Sequence, residues 1–270
     1  MTHQIETKNG NKIHVEDYGS GQPVVFLHGW PANNRMFEAQ ALSVVENGYR
    51  YIGLDYKGYG GSDITADGYS YGEIADDIQQ VVKTLGLKDI VVVGFSVGGP
   101  IALKYASKYN SDNLSKLILI SPAAPSFVQQ EGYAYGMKKE EVDELIQGLK
   151  QDRPKALDEF GQNFFSSNVE NSEEFQTYFH GLVSTSSLIA TVKLAESLRD
   201  EDLREEVKGL DLPVFGIHGK EDAVCPIEFS DVLAETLPSY TLHKVDDAGH
   251  AIFHEKQDEV NQLINDILKK

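Results

Sequence analysis

The sequence predicts an α/β fold in which helices cover both faces of a mostly parallel central sheet. Short β-rich segments alternate with longer amphipathic segments along most of the chain, which is typical of strand–helix–strand units. Several of the short segments are continuous apolar runs, as strands buried on both faces require. The chain has 270 residues, of which 41% are hydrophobic and 24% charged. It can therefore form one large globular core with an insertion.

The strands are predicted from two patterns of apolar residues. Residues 13–19 alternate apolar and polar side chains, which indicates an edge or hairpin strand. A second strand-like segment, residues 240–245, precedes the C-terminal region. Between them, five continuous apolar runs are predicted to be the central parallel strands: PVVFLHG, YIGLD, IVVVG, KLILIS and PVFGIHG.

Three segments between and after these strands have the apolar spacing of amphipathic helices. Residues 71–86 carry one apolar face and end at Gly86, which suits a helix C-cap. Residues 98–109 predict a second helix that begins directly after Ser96. Residues 255–270 repeat the pattern at the C-terminus. We therefore expect helices on both faces of the sheet.

The region from about Pro125 to Arg204 interrupts this alternation. It contains four segments with helical spacing and no strand-like run. We therefore expect residues 125–204 to form a helical cap between two parts of one core, residues 1–124 and 205–270. The many aromatic residues of this insertion fit a cap over an apolar cavity, although aromatics at helical spacing also fill cores.

Charge and composition narrow the possible partners. The chain has 42 Asp and Glu against 24 Lys and Arg, a formal charge of -18. Such a surface repels nucleic acids and anionic lipids, so we expect a small-molecule substrate and no nucleic-acid or membrane partner. The start of the chain lacks the signal-peptide pattern, and no run approaches a membrane span. A cytoplasmic location is expected, and the oligomeric state is left open.

The segment GFSVG, Gly94–Gly98, places one serine between two glycines and matches the G-x-S-x-G nucleophile elbow. A predicted strand precedes it and a predicted helix follows, as that motif requires. So sharp a reversal strains the central residue and crowds its neighbours, which explains the glycines. The helix N-terminus also offers N–H groups to a developing negative charge. Ser96 is therefore predicted to be a nucleophile rather than a residue tolerated in a glycine-rich turn.

A serine hydroxyl becomes a good nucleophile only when a base takes its proton and an acid orients that base. His250, in a glycine-containing loop before the last helix, is the predicted base, with His254 as the alternative. Asp222, in the loop after the strand PVFGIHG, is the predicted acid. The order Ser, Asp, His along the chain is the one expected for the nucleophile-elbow fold. The competing acids nearby are Glu221, Asp246 and Asp247.

Acyl transfer also needs hydrogen-bond donors for the oxyanion. The backbone N–H of Val97 is one candidate, and that of Trp30, in the loop after PVVFL, is the second. Cys225 is the only cysteine, so neither a disulfide within the chain nor a pair of zinc thiolates is possible. The histidines lack metal-ligand spacing, and the glycine-rich segments match neither nucleotide motif. No cofactor is implied, and Cys225 is expected to be a small buried residue rather than a catalyst.

Together these segments resemble the α/β-hydrolases, and more narrowly their cofactor-free esterase and haloperoxidase group. The resemblance covers both halves of the core and leaves the insertion unmatched. It differs at Lys57, where the family's D-x-R-G-x-G-x-S turn has arginine, and at Val97, where this group usually has methionine. Relatives that form an alkyl-enzyme carry aspartate in place of Ser96. The resemblance implies these roles: nucleophile Ser96, acid Asp222, base His250, oxyanion donors Trp30 and Val97.

The residues and the resemblance favour a serine hydrolase that cleaves carboxylic esters of small to medium apolar acyl compounds. A C–C bond, lactone or amide hydrolase would use the same triad, because the specificity lies in the cap and the pocket rather than in the fold. A third hypothesis, from another class, is a small-molecule binding or signalling protein with vestigial hydrolysis.

Overall fold

A computed structural model of the chain describes residues 1–109 and 113–270. Within these ranges eight strands form one sheet in the order β1-β2-β4-β3-β5-β6-β7-β8, and their bounds are β1 (Thr2–Glu6), β2 (Lys12–Gly19), β3 (Pro23–Leu27), β4 (Arg50–Leu54), β5 (Ile90–Phe95), β6 (Leu114–Ile120), β7 (Val214–Gly219) and β8 (Tyr240–Val245). The pairs β1-β2 and β2-β4 are antiparallel. All the other neighbours are parallel, which confirms the predicted α/β sheet.

Helices cover both faces of this sheet, as predicted. Successive strand residues point to opposite faces. Val25 and Leu27 of β3 therefore join one hydrophobic cluster, whereas Val24 and Phe26 join the other. The helices are α1 (Glu38–Glu46), α2 (Tyr71–Thr84), α3 (Gly98–Tyr109), α4 (Lys139–Gly161), α5 (Glu173–Ser184), α6 (Leu188–Asp200), α7 (Glu228–Thr236), α8 (Ile252–Glu255) and α9 (Gln257–Leu268). Helices α2 and α3 pack on the first cluster, and α1 and α9 on the second.

The ends of several elements differ slightly from the predictions. Helix α2 begins with a capping box between Ser70 and Glu73 and ends at Thr84, two residues before Gly86, which has a φ of 61°. Helix α7 begins at Glu228, two residues beyond Pro226, where the sequence suggested its start. The C-terminal region contains the short α8 before α9. These shifts leave the order of elements unchanged.

The residues between β6 and β7 form the helices α4, α5 and α6 and contribute no strand to the sheet. Helix α4 bends at Asp152, with φ -149° and ψ 84°. Pro154 follows two residues later, and a proline ring cannot be accommodated inside a regular helix. The division of the chain into a core and a separate cap at residues 125–204 stays a prediction. Throughout residues 1–109 and 113–270, no helix combines the length and the apolar character needed to cross a membrane.

Candidate active site

The predicted site residues all follow strands that end at one edge of the sheet. Trp30 follows β3, Ser96 follows β5, Asp222 follows β7 and His250 follows β8. These four strands run parallel. Their carboxyl ends therefore lie at the same edge, where open α/β sheets bind their ligands.

Ser96 sits on a tight turn that requires glycine two residues before it and two residues after it. Its φ is 54°, in the left-handed region that strains any residue with a side chain. A Cβ atom on Gly94 would lie 2.2 Å from the carbonyl oxygen of Gly98, and one on Gly98 would lie 2.3 Å from that of Leu27. Both contacts are with backbone atoms, which cannot swing aside. The turn therefore depends on glycine at both positions.

Three of the predicted residues form a hydrogen-bonded series. The Oγ of Ser96 lies 3.0 Å from Nε2 of His250, and Nδ1 of His250 lies 2.8 Å from Oδ2 of Asp222. All three side chains are buried. A carboxylate can only accept a hydrogen bond, so Nδ1 carries a proton and donates a hydrogen bond to Asp222. The lone pair of Nε2 is then left to accept the hydroxyl proton of Ser96.

The Asp222 carboxylate is held from several sides. Its Oδ1 accepts from the backbone N–H groups of Val224 and Cys225, at 2.9 and 2.7 Å. Burial disfavours the ionised carboxyl, but the charge of His250 and the hydrogen bonds from His218 and His250 outweigh it and hold the pKa of Asp222 well below its usual value. Asp222 is therefore a fixed negative charge beside the imidazole of His250.

The loop that carries Trp30 lies against Ser96. A Cβ atom on Gly29 would lie 3.3 Å from Cβ of Ser96. Among the described residues, neither the backbone N–H of Trp30 nor that of Val97 donates a hydrogen bond. The carbonyl of Gly29, in the same peptide as the Trp30 N–H, accepts from the N–H of Ala32 at 3.0 Å. Both predicted oxyanion donors are therefore available, and their role stays a prediction.

The alternative base and acids lie elsewhere. The ring of His254, in α8, stacks on Phe175 with ring centroids 3.3 Å apart, and burial lowers its pKa. Asp246 pairs with Lys220 at 2.5 Å. Asp247 is exposed on the same loop. The structure therefore brings His250 and Asp222 to Ser96 and places these alternatives in other contacts.

Glu221, the remaining alternative, binds a short part of the insertion that we call the bridging segment, residues 164–168. Its Oε2 accepts from the hydroxyl of Ser166 at 2.6 Å. Glu255 accepts from the N–H of Ser166 at 2.7 Å and from that of Gly249 at 2.6 Å. The N–H of Ala251 donates to the carbonyl of Phe164, within the bridging segment, at 2.9 Å. The insertion is thus bonded to both loops that carry the acid and the base.

Sequence reasoning missed two buried histidines at the site. Nδ1 of His28 lies 3.0 Å from the carbonyl of Gly29 and Nε2 accepts from the N–H of Tyr56 at 3.1 Å, while burial lowers the pKa of His28 to about 4. Nε2 of His218 lies 3.4 Å from Oδ2 of Asp222. Each histidine precedes a glycine at the end of an apolar strand, as His28-Gly29 and His218-Gly219. This repeated pair was the sequence signal that could have pointed to both histidines.

A cavity of about 750 Å³ lies between the loop after β3 and residues 157–183. Its walls include Trp30 and the aromatic rings of Phe160, Phe164 and Phe179. Ser96 does not line it. Phe164 connects the two, because its ring packs edge-on against that of His250 with centroids 5.3 Å apart. In the described ranges, no group of three His, Cys, Asp or Glu side chains is arranged to hold a metal ion.

Comparison with known proteins agrees with the α/β architecture. The family model described as the α/β hydrolase fold matches residues 22–257, and the chain therefore belongs to the α/β-hydrolase family. It is 40% identical over 264 residues to the AB hydrolase superfamily protein YisY of Bacillus subtilis, covering 98% of both chains.

Two solved structures narrow the group. The esterase EaEST from Exiguobacterium antarcticum is 46% identical with a TM-score of 0.97, and the match covers 100% of both chains. A bromoperoxidase from Bacillus anthracis is 29% identical with a TM-score of 0.95, again over 100% of both. The chain is accordingly an enzyme of the esterase and haloperoxidase group of α/β-hydrolases.

Proposed function

We propose that the protein is a serine carboxylesterase that cleaves esters of small to medium apolar acyl compounds through an acyl-enzyme on Ser96. The observation that carries this proposal is the hydrogen-bonded series in which Ser96 Oγ lies 3.0 Å from His250 Nε2 and His250 Nδ1 lies 2.8 Å from Asp222 Oδ2. The similarity to an esterase supports the choice of bond.

Each group has a defined step. His250 takes the proton of Ser96 as Oγ attacks the carbonyl carbon, and the N–H groups of Trp30 and Val97 stabilise the oxyanion. His250 then gives the proton to the departing alkoxide, which leaves as an alcohol. Water, deprotonated by His250, attacks the acyl carbon. The bond from that carbon to Ser96 Oγ breaks, His250 returns the proton to Oγ, and the carboxylic acid is released. Asp222 stabilises the imidazolium during both steps.

The test is the Ser96→Ala variant assayed with p-nitrophenyl butyrate. We expect kcat to fall at least about 10³-fold, because the nucleophile is lost while the fold is kept. Intact mass after treatment with a fluorophosphonate should show one adduct on the wild type and none on Ser96→Ala. Ser239→Ala, at an exposed serine before β8, is the matched control and should label like the wild type.

Wild-type hydrolysis by Ser96→Ala would overturn the assignment. An unlabelled wild type would favour a binding protein with vestigial activity. Faster turnover of a lactone, an amide or a vinylogous diketone than of any ester would change the bond that is cleaved and keep the same nucleophile.

The similarity to a bifunctional esterase/perhydrolase of Acinetobacter calcoaceticus, 31% identical over 234 residues, favours a second candidate reaction, perhydrolysis. Hydrogen peroxide would replace water as the attacking group on the acyl-enzyme. Its oxygen would bond to the acyl carbon, the ester bond to Ser96 would break, and Ser96 would regain its proton as a peracid leaves. Peracid formation from acetate and hydrogen peroxide, absent in Ser96→Ala, is the expected result. A wild type that hydrolyses esters but forms no peracid would exclude this candidate.

A further inference from the structure

His218 is a fully buried histidine that the proposed mechanism does not use. It lies at the end of β7, four residues before Asp222. Its Nε2 is 2.8 Å from the carbonyl oxygen of Cys225 and 3.4 Å from Oδ2 of Asp222. The same Oδ2 accepts from His250. Two imidazole rings therefore meet one carboxylate oxygen.

The neighbours of His218 determine which ring nitrogen carries the proton. The Cys225 carbonyl and the Asp222 carboxylate can only accept, so Nε2 must carry a proton and donate. Nδ1 lies 2.7 Å from the hydroxyl of Ser230, which in turn accepts from the hydroxyl of Tyr240 at 3.2 Å. The donors thus run in one direction, from Tyr240 through Ser230 and His218 to the acid.

His218 reaches the carboxylate by two routes. One is a direct electrostatic contact, in which Nε2 lies 3.4 Å from Oδ2 of Asp222. The other passes through Cys225, whose carbonyl accepts from His218 and whose N–H donates to Oδ1 of Asp222 at 2.7 Å. A donor that fixes both the carboxylate and the chain beside it restricts rotation of the carboxylate away from His250.

We infer that His218 is a positioning residue for the proposed triad: it holds the Asp222 carboxylate, directly and through Cys225, in the orientation that presents Oδ2 to His250. The inference rests on the proposed function of Ser96, Asp222 and His250. It extends that function to the buried hydrogen-bond series Tyr240–Ser230–His218, which holds the acid through contacts separate from those of His250.

Few titratable groups face this part of the site. Asp222 faces His250, His218 and the thiol of Cys225, whose pKa is raised by burial and by the charge of Asp222. His250 faces Asp222 and Ser96, and its other ring contacts are Phe95 and Phe164. Glu255 binds the adjacent N–H of Gly249. A change in the pH dependence of the reaction after substitution of His218 therefore reports on Asp222 and His250.

The experiment compares His218→Leu, which removes both hydrogen bonds, with His218→Gln, which keeps an amide donor. For His218→Leu we expect kcat for p-nitrophenyl butyrate to fall about 10- to 100-fold, the range for a lost hydrogen bond to a charged group. KM should stay nearly constant, because His218 does not touch the substrate. His218→Gln should recover part of kcat, and Ser230→Ala should lose less than His218→Leu.

The pH profile separates positioning from a structural role. Without His218 the Asp222 carboxylate can turn away from His250, so the imidazolium loses part of the charge that stabilises it. The acidic limb of kcat/KM, and of the fluorophosphonate labelling rate, should therefore move to lower pH in His218→Leu. His243→Leu is the control, at a half-buried histidine of the neighbouring strand β8 that is paired with Ile217. It should leave the acidic limb of kcat/KM and that of the labelling rate in place.

Wild-type kcat and an unmoved acidic limb in folded His218→Leu would overturn the inference. If His218→Leu does not fold, unchanged kcat and pH profiles in both His218→Gln and Ser230→Ala would overturn it equally. A wild type that neither hydrolyses the ester nor takes up fluorophosphonate would instead overturn the proposed function, so the two failures are distinguishable.

Discussion

The loop that carries Ser96 and the loops that carry Asp222 and His250 converge on one site, yet the latter two have additional hydrogen bonds to the bridging segment. Around Ser96, backbone approaches backbone: a Cβ atom on Gly98 would lie 2.3 Å from the carbonyl oxygen of Leu27. Around Asp222 and His250, carboxylates of Glu221 and Glu255 accept hydrogen bonds from the bridging segment and its neighbours.

This difference teaches which part of the molecule determines each half of the site. Close packing of strands β3 and β5 is a property of the core, so the position of Ser96 needs no other region. The loops that carry Asp222 and His250 are bonded to the bridging segment, so their geometry depends on the insertion as well. A change in the insertion should therefore affect the base and the acid before it affects the nucleophile.

The largest expected effect is that of Gly98→Ala, which tests the steric half of the comparison. The new methyl group would meet backbone atoms of Leu27, and overpacking typically costs about 1–3 kcal/mol, toward the upper end where the contact is with backbone. Urea unfolding should show this loss, and esterase activity should disappear because β3 and the N–H of Val97 are displaced.

Gly181→Ala in α5, where no atom lies within 4 Å of the new Cβ, is the control. It should raise the free energy of unfolding by up to about 1 kcal/mol. Equal stability of the two variants would refute the steric account.

Glu255→Gln should have an intermediate effect, and it tests the hydrogen-bonded half. One amide oxygen can replace only one of the two carboxylate oxygens that accept from Ser166 and Gly249. Losing a hydrogen bond to a charged group costs about 2 kcal/mol, so kcat should fall by about tenfold or more as His250 loses its support. Labelling by fluorophosphonate should slow in parallel. Glu259→Gln, at an exposed glutamate of α9, should behave like the wild type; an equal loss there would contradict the assignment.

The smallest effect concerns pH and Glu221. Hydrogen bonds from Ser166 and then Asn168 lower the pKa of Glu221. A carboxyl whose pKa is lower in the folded state stabilises that state above its unfolded pKa, and the stabilisation is lost as the pH falls through the folded pKa. Hydrogen-exchange protection of the bridging segment should therefore decrease on acidification. In Glu221→Gln it should be weaker at pH 7 and depend less on pH. Identical profiles for the two proteins would show that Glu221 does not hold the segment.

The fold and the three residues of the hydrogen-bonded series could be predicted because each has a local signal. Apolar runs mark buried strands, and G-x-S-x-G marks Ser96. Asp222 and His250 lie in polar loops directly after strands, where the parallel order brings them within 3.0 Å of their partners. By contrast, the partners of His28 and His218 lie on other elements, Tyr56 after β4 and Ser230 on α7. Those contacts depend on how neighbouring elements pack, so a His-Gly pair alone could not reveal these partners.

Two further features had no usable signal. Strand β1 lies at the sheet edge with one buried residue, Ile5, so it shows no apolar run. Lys57 was recognised only as a departure from the family's arginine. Its Nζ lies 2.9 Å from Oδ2 of Asp77 on α2, with both side chains largely buried. The sequence around Lys57 does not indicate which turn of α2 packs against it, so the pairing with Asp77 could not be predicted.

Gly249 determines how this enzyme could be rebuilt for other substrates. A Cβ atom on Gly249 would lie 2.5 Å from the backbone nitrogen of Ser166, so the loop before His250 is shaped to one backbone path of the insertion. A chimera that takes α5 from a relative would alter the cavity wall, to which Gln176, Phe179 and Val183 contribute. If the exchange includes residues 164–168, it also replaces the surface on which the base loop rests. The productive splice point therefore lies after the bridging segment.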